Sequence, residues 1–298
     1  MFKKVELVDM PVLQKYLKRA DNRSCTFCVG NNYIWNVSGL LEYAIIKDAL
    51  VYRMDEGKDI VYRLPELTPD FKEIVKILEE DAKVVGKEFR MSDMSHEMAR
   101  CLEEEFPWEF QISYNEKDSD YVYEIEALTK LSGKKYHGKK NHINKFLKEH
   151  TFTYEPLTAE GLEECMALAE TWREAKNEVV TDDVIRSMEY EKRALEFACE
   201  HYEEFGFVGG LIRMEGLVQA FTFGERGTDD TFITHFEKAA DIQGLYPLIN
   251  QQFTEHALQE YTYVNREEDM GLAGLRKAKQ SYHPIFMVDD IWAVRIKK

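Results

Sequence analysis

A lysine-rich segment, Lys134–Lys148, differs from the rest of the chain in its charge. It holds six lysines and two histidines without one acidic residue, although the whole chain carries a net charge of −16. Concentrated positive charge on a helix suits the phosphates of coenzyme A, of a tRNA end or of an anionic head group. His137, Lys139 and Lys140 are therefore candidate phosphate ligands. The alternative is a solvated helix face that pairs with nearby carboxylates.

A second polar segment, Tyr263–Pro284, joins a predicted strand end to a charged loop and a helix. Loops at strand ends hold binding residues on a rigid scaffold, so this position favours a functional site. Asn265, Arg266 and Lys279 are its candidate binding residues. The alternative is capping, because acids at the front of the helix and cations at its back match the helix dipole.

A third segment, Thr234–Leu245, runs from a predicted strand into a helix. Gly244 lies at this junction, where a glycine is able to present backbone N–H groups to an anion. Gly244 is therefore a candidate anion-binding position. A glycine that only shapes the turn is the alternative.

Composition argues against several classes of protein. Five cysteines, an odd number in 298 residues, fit reduced thiols and a cytoplasmic location. Cys25 and Cys28 have neither a second cysteine pair nor a histidine cluster nearby, so no metal is expected, and their roles stay open. No secretory signal is recognised. The acidic charge disfavours DNA, and no apolar run approaches the roughly 18 residues of a bilayer span, so membrane insertion is not expected.

The first half of the chain is predicted to hold a helix, a strand meander and then alternating helices and strands. One long helix is placed by the apolar face of Phe71, Ile74, Val75 and Leu78. The predicted elements are helix Pro11–Ala20, strands Glu42–Lys47, Ala49–Met54 and Asp59–Leu64, a helix from Thr68, strand Phe89–Met91, helix Asp93–Glu104 and strand Tyr121–Ile125.

The second half is predicted to follow a similar order. Its elements are strand Phe152–Pro156, helices Thr158–Ala175 and Asp182–Glu200, strands Phe207–Met214, Leu217–Glu225 and Thr231–Lys238, helix Leu245–Gln259, strand Tyr261–Val264, helix Gly271–Gln280 and a strand pair within Pro284–Ile296. The repeated order hints at an internal duplication, although no sequence motif recurs. It predicts an α/β protein of the α+β type, with mixed sheets and flanking helices in domains 1–150 and 151–298.

Four motifs resemble those of the phosphatidylglycerol lysyltransferase C-terminal-domain-like family, a largely uncharacterised bacterial group. They are Gly133-Lys134-Lys135-Tyr136-His137, Glu237-Lys238-Ala239, Asn265-Arg266-Glu267 with Asp269-Met270-Gly271, and Leu275-Arg276-Lys277-Ala278-Lys279 with Tyr282 and Pro284. The resemblance covers nearly the whole chain. It implies two tandem GNAT-like domains, as in peptidoglycan aminoacyltransferases that use aminoacyl-tRNA.

The resemblance also implies acyl or aminoacyl transfer from coenzyme A or aminoacyl-tRNA to an amine or hydroxyl. Such chemistry needs a base, donors for an oxyanion and an acid for the leaving group. Glu237, Glu267 and Asp269 are then possible bases, and Tyr282 is a possible acid. Backbone N–H groups near Gly244 would stabilise an anion, and Lys139, Lys140 and Lys279 would hold phosphates.

A GNAT-like module that binds a nucleotide, peptide or tRNA ligand without turnover is the alternative function. The enzyme hypothesis predicts that Glu237, Asn265, Glu267 and Tyr282 converge in one pocket. The opposing expectation is that Glu267 and Asp269 cap a helix while Tyr282 packs in the core.

Overall fold

The computed structural model describes residues 1–176 and 182–296. The strands in these ranges are β1 (Lys3–Lys4), β2 (Leu41–Ile46), β3 (Ala49–Glu56), β4 (Asp59–Arg63), β5 (Glu88–Met94), β6 (Phe110–Tyr114), β7 (Asp120–Glu124), β8 (Thr153–Pro156), β9 (Val208–Met214), β10 (Leu217–Arg226), β11 (Thr231–Ala239), β12 (Tyr263–Asn265), β13 (Phe286–Val288) and β14 (Ile291–Arg295). The α-helices are α1 (Met10–Ala20), α2 (Asn31–Ile34), α3 (Phe71–Val85), α4 (His96–Glu105), α5 (Ile125–Lys130), α6 (His137–Glu149), α7 (Ala159–Lys176), α8 (Asp182–Glu200), α9 (Leu245–Ala257) and α10 (Ala273–Gln280).

The strands form two seven-stranded sheets. One has the order β1-β2-β3-β4-β5-β14-β6, and the other has the order β13-β7-β12-β11-β10-β9-β8. Each sheet is mixed, because β4 pairs with β5 and β11 pairs with β12 in parallel while neighbouring pairs are antiparallel. The predicted fold class, mixed sheets with flanking helices, is confirmed.

The chain divides into two compact units. The first comprises Met1–Asp120, Glu268–Arg276 and Met287–Lys298, and the second comprises Tyr121–Glu267 and Lys277–Phe286. Residues 121–150 group with the second unit by contact, whereas the predicted repeat assigns them to the first half. That repeat, with its division at residue 150, stays a prediction, because contacts alone do not establish which segments are duplicated.

The first unit is built around the apolar face of α3. Phe71, Ile74, Val75 and Leu78 are almost completely buried, as their helical spacing predicts. Gly86 ends this helix with a φ of 72°, a left-handed conformation that favours glycine. Ser95 caps the N-terminus of helix α4, because its side chain accepts a hydrogen bond from the Met98 N–H group at 3.1 Å.

In the second unit, α6 and α9 cover one face of the sheet. Leu245 and Leu248 of α9 and Phe146 of α6 pack in one core with Ala220 of β10. Phe223, which faces the other side of β10, packs against Tyr202 with ring centroids 5.6 Å apart. The sheet is therefore covered on both faces. A polar side chain of a strand lies either on the α6 and α9 side or on the Tyr202 side.

In the described residues, the structure adds four elements that the sequence pattern did not predict, β1, α2, β6 and α5. Strand β6 lies at the edge of its sheet, and only Phe110 of its five residues is buried, so its apolar signal is weak. Helix α5 has only six residues, which is too short to show a periodic face. None of the described helices is long and apolar enough to cross a membrane.

Candidate active site

Strand β11 is irregular at His235. Its pairing with β10 passes from Phe223–Phe236 directly to Gly224–Thr234, so His235 is an extra residue in the strand. The backbones approach closely here, because a Cβ atom on Gly224 would lie 1.8 Å from the Ile233 carbonyl oxygen. A glycine opposite the extra residue therefore permits this β-bulge.

The bulge shifts the alternation of side chains along β11. Glu237 pairs with Thr222, whereas Ile233 pairs with both Glu225 and Asn265. Because Thr222 and Glu225 are three residues apart in β10, they face opposite sides of the sheet. Glu237 and Asn265 consequently face opposite sides as well. The predicted convergence of Glu237, Asn265, Glu267 and Tyr282 in one pocket is wrong for Asn265, and it is also wrong for Glu267, whose carboxylate contacts His235 instead.

Four side chains on the α6 and α9 side form a group that we call the Glu237 cluster: Lys139, Glu237, Arg266 and Tyr282. Arg266 Nη2 donates to Glu237 Oε1 at 2.8 Å, and both side chains are about nine-tenths buried. The other carboxylate oxygen accepts a longer hydrogen bond from Asn250 Nδ2 at 3.4 Å. Glu237 and Arg266 thus form a nearly buried ion pair.

Arg266 is surrounded by aromatic rings. Its guanidinium lies 4.8 Å from the Tyr282 ring centroid and 5.7 Å from that of Tyr123. Burial acts to lower the pKa of Arg266, but the charge of Glu237 opposes it, and the pKa is raised above its ordinary value. Within the described residues, Arg266 Nη1 is buried without a hydrogen-bond partner. A buried N–H donor is therefore available to a bound molecule.

Lys139 contributes a second cation. Its Nζ atom lies 3.8 Å from the Tyr282 ring centroid, and its side chain is partly buried. Burial, with the nearby Arg266 charge, lowers the pKa of Lys139 to about 8, although Glu237 acts to raise it. A lysine in this range exchanges a proton near neutral pH.

Tyr282 is buried between the two cations. Burial raises its pKa well above the ordinary value, although Arg266 acts to lower it. Its hydroxyl is therefore protonated at neutral pH and is a donor. The backbone carbonyl of Tyr282 accepts a hydrogen bond from the Tyr136 hydroxyl at 3.1 Å, which ties it to the segment before α6.

A second group, the His235 cluster, consists of Glu225, His235 and Glu267. His235 Nε2 lies 2.9 Å from Glu225 Oε1, and Nδ1 lies 2.7 Å from Glu267 Oε1. The imidazole is fully buried. Burial acts to lower its pKa, but the hydrogen bonds to both carboxylates raise it to about 9. The sequence did not single out His235, because its partners lie 10 and 32 residues away.

Asn265 and Glu267 are held by a local turn. Asn265 Oδ1 accepts a hydrogen bond from the Glu267 backbone N–H group at 2.7 Å. Glu267 adopts a positive φ of 59°, which directs the chain out of β12. Lys279 Nζ donates to the Arg266 carbonyl at 2.6 Å and is nearly buried, so it fixes the backbone beside the Glu237 cluster.

Asp269 lies in the first compact unit and has a structural environment. Its carboxylate accepts two hydrogen bonds from Arg276, at 2.7 and 3.0 Å, and one from the Gly271 N–H group at 2.8 Å. This fork-to-fork pairing spans the start of α10. It agrees with the capping alternative, and a catalytic role for Asp269 stays a prediction.

The remaining predicted residues belong to α6 and to the start of α9. His137 and Lys140 are exposed on α6. Gly244 has a φ of 96°, and a Cβ atom there would lie 2.5 Å from the His142 carbonyl oxygen. Glycine is therefore required for the close approach of this loop to α6. Its anion-binding role stays a prediction.

One further group in the first unit contains atoms of the kind that ligate metals. Atoms of Cys25, Asp120 and Glu268 lie within 4.8 Å of one another. The Cys25 thiol donates to Asp120 Oδ1 at 3.2 Å, and its backbone N–H group donates to Oδ2 at 2.8 Å. Hydrogen bonds therefore account for this contact without an ion.

Comparison with known proteins gives a consistent result. The model of the family described as phosphatidylglycerol lysyltransferase, C-terminal, matches residues 17–291. No match was found among curated proteins.

The chain is 33% identical to a conserved protein of unknown function from Bacteroides thetaiotaomicron VPI-5482, over 99% of both chains, with a TM-score of 0.91. It is 13% identical to L-PGS from Bacillus licheniformis, over 99% of this chain and 94% of that one, with a TM-score of 0.69. A tandem GNAT protein from the clavulanic acid biosynthesis pathway shares 8% identity over 100% of this chain and 99% of that one, with a TM-score of 0.51. These likenesses confirm the predicted tandem GNAT-like fold.

Proposed function

The chain belongs to the phosphatidylglycerol lysyltransferase C-terminal family, and from that premise we propose that it transfers an acyl or aminoacyl group from a phosphate-bearing carrier to an amine or hydroxyl. The family and the GNAT-like fold support a transferase function in general. The carrier is coenzyme A or tRNA. The observation that carries the proposal is the charge of the Glu237 cluster, where Arg266 is ion-paired with Glu237 and Lys139 is a second cation near the same carboxylate.

An excess of positive charge away from water favours a negative partner. Arg266 and Lys139 together exceed the charge of Glu237 by one unit, and Arg266 Nη1 is a buried donor without a partner in the described chain. An isolated buried charge is costly, so binding of an anion is favourable here. An oxyanion that develops on an acyl carbonyl during transfer would receive the same stabilisation.

The residues of this cluster have properties that match the steps of acyl transfer. The acceptor attacks the carbonyl carbon, and Lys139 takes the proton that the acceptor loses, in the minor fraction of molecules whose Lys139 is neutral at pH 7 because its pKa is about 8. Arg266 donates to the oxyanion through Nη1, while Glu237 holds the guanidinium in place. The bond from the carbonyl carbon to the carrier then breaks, and Tyr282 donates a proton to the leaving atom and recovers one from the lysine.

Exposed cations on α6 would bring the carrier to this cluster. His137 and Lys140 lie on the same helix as Lys139 and are accessible to solvent. Phosphates on the carrier would contact them while the acyl group reaches the buried donors. This assignment agrees with the predicted role of the lysine-rich segment.

The proposal is tested by measuring ligand binding and transfer in parallel. Thermal unfolding is followed with coenzyme A, acetyl-coenzyme A and aminoacyl-tRNA. A ligand that binds the native state at about 100 times its Kd stabilises it by about 2.7 kcal/mol. Transfer of a radiolabelled acyl group to a panel of amines and alcohols is then measured with each carrier that binds.

A double variant gives the mechanistic control. Glu237→Gln with Arg266→Gln removes both charges of the buried pair and keeps hydrogen-bonding groups at both positions, so the fold is retained while transfer is lost. The matched control is Glu126→Gln with Lys130→Gln, an exposed ion pair on α5. Binding without transfer by the wild-type protein would instead support the non-catalytic alternative, and equal transfer by both double variants would contradict the proposed site.

A further inference from the structure

A cavity of about 270 Å³ lies between α7, α8 and β11. Its apolar wall is formed by Met166, Trp172, Met188 and Leu195. Thioether groups adapt to apolar ligands of different shapes, and the indole ring of Trp172 adds a flat apolar surface. The volume is slightly below the roughly 300–1,000 Å³ of pockets for drug-sized ligands, so the cavity suits a smaller, metabolite-sized molecule.

Lys238 is the β11 residue that lines this cavity. Its side chain is nine-tenths buried, and Nζ donates to Glu191 Oε1 at 2.8 Å. The same ammonium lies 3.8 Å from the Trp172 ring centroid. An ammonium has three N–H donors, and Glu191 is the one hydrogen-bond acceptor for Lys238 in the part of the chain that the structure describes. A donor is thus available to a ligand.

The charges that line the cavity are balanced. Three carboxylates, of Glu170, Glu191 and Glu196, face three cations, of Arg173, Lys192 and Lys238. A ligand with a net charge would upset this balance in a partly buried space, where an uncompensated ion is costly. A ligand with one positive and one negative group, close together, preserves it.

The cavity is separate from the Glu237 cluster. Glu237 and Lys238 are consecutive residues in β11, and consecutive side chains of a strand face opposite sides of the sheet. Glu237 faces α9 through Asn250, whereas Lys238 faces α8 through Glu191. The ligand of this cavity therefore does not contact the residues assigned above to acyl transfer.

We infer that this cavity binds a free α-amino acid with an apolar side chain. Its carboxylate receives a hydrogen bond from Lys238, and its ammonium donates to Glu191. The apolar side chain lies against Trp172 and the two methionines. The adjacent charges of an amino acid match the adjacent charges of the Lys238–Glu191 pair. Binding at this cavity does not depend on the transfer reaction.

Titration calorimetry with L-phenylalanine and L-leucine tests the inference directly. Saturable binding of one molecule per chain is expected. Phenylethylamine lacks the carboxylate and 3-phenylpropanoate lacks the ammonium, so each should bind at least about tenfold more weakly than L-phenylalanine, as expected for loss of a charged hydrogen bond. Trp172→Phe should remove the accompanying change in tryptophan fluorescence, since the other three tryptophans line no part of this cavity.

Two variants test the contact of the ligand carboxylate and the contact of the ligand ammonium separately. Lys238→Met should weaken L-phenylalanine binding by about tenfold or more, because it removes a charged donor, while the control Lys130→Met should leave it unchanged. Glu191→Gln should weaken binding of L-phenylalanine but not of 3-phenylpropanoate. Circular dichroism and thermal unfolding confirm that each variant is folded. Absence of saturable binding by the folded wild type, equal affinity in Lys238→Met, or binding of 3-phenylpropanoate as tight as L-phenylalanine would overturn the assignment.

Discussion

The Glu237 cluster and the His235 cluster lie on two faces of one sheet and have opposite charge balances. In the first, the cations of Lys139 and Arg266 lie near one carboxylate, which is ion-paired with Arg266. In the second, one imidazole lies between two carboxylates, and both ring nitrogens have partners. One group leaves a buried donor available, and the other uses both nitrogens of its histidine within the protein.

This difference in available partners distinguishes a structural role of buried charges from a functional one. A group in which each ionised side chain has a hydrogen-bonding partner within the protein holds strands and loops together, and its disruption leaves an uncompensated ion. A group with excess positive charge and a donor without a partner destabilises the unliganded protein slightly and gains from an anionic ligand or transition state. We therefore expect the Glu237 cluster to affect activity and the His235 cluster to affect stability.

The largest expected effect comes from Lys139→Met. Loss of the proton acceptor should reduce kcat/KM for transfer by about 10²–10⁴-fold, the usual contribution of general acid–base catalysis. The melting temperature should not fall, because burial already disfavours the Lys139 ammonium. Steady-state kinetics with thermal unfolding measures both, and Lys130→Met is the control. A stability loss that parallels the activity loss would contradict the comparison.

His235→Gln should reduce stability, whereas Lys139→Met should reduce activity. Removal of the imidazolium leaves Glu225 and Glu267 facing each other with a neutral amide between them, and should lower the free energy of unfolding by about 3–5 kcal/mol. The matched control is His201→Gln, which breaks a less buried pair with Glu204 and should cost at most about 1 kcal/mol. Urea unfolding measures the difference. Equal losses in the two variants would show that the His235 cluster contributes little stability.

The pH dependence of stability gives a further test of the difference between the His235 and Glu237 clusters. The pKa of His235 rises from 6.5 to about 9 on folding, so its stabilisation is complete below pH 6.5 and is lost as the pH rises through 9. The full effect is on the order of 3 kcal/mol. The pKa of Lys139 falls from 10.5 to about 8, so this lysine makes the protein more stable as the pH rises from 8 to 10.5.

Unfolding between pH 6 and 10 should therefore show opposite slopes for the two clusters. The difference between wild type and His235→Gln should shrink as the pH increases. The difference between wild type and Lys139→Met should change in the other direction above pH 8. Parallel curves for the wild type and both variants would mean that neither group has the shifted pKa described above.

Local signals in the sequence predicted most of the fold. Helix α8 has the predicted bounds, Asp182–Glu200, and the predicted apolar face of α3 is buried. Periodicity and capping act over a few residues, so they are visible without the tertiary structure. The edge strand β6 was missed because it buries one residue.

The candidate site was predicted less completely, and the bulge in β11 explains much of the difference. Glu237 and Tyr282 both contact Arg266, as the predicted grouping of these segments requires. Asn265 and Glu267 were predicted to lie with them, but the extra residue His235 reverses the alternation and places Asn265 on the other face, and Glu267 contacts His235. The irregularity depends on the pairing of Gly224 with a neighbouring strand, which the local sequence does not reveal.

The smallest expected effect is that of Lys140→Ala, and it separates attraction of the carrier from chemistry. Lys140 is exposed on the same helix as Lys139, so its charge attracts phosphates through water and contributes about 0.2–1 kcal/mol to carrier binding. The apparent Kd of coenzyme A or tRNA should therefore rise by up to about fivefold at low salt, with kcat unchanged. At about 1 M salt the Debye length is only about 3 Å, and the effect should disappear. Binding measured over a salt series tests this, with Lys130→Ala as an exposed lysine outside α6. If Lys140→Ala changes kcat, or leaves affinity unchanged at low salt, α6 is not a docking face that acts through its charge.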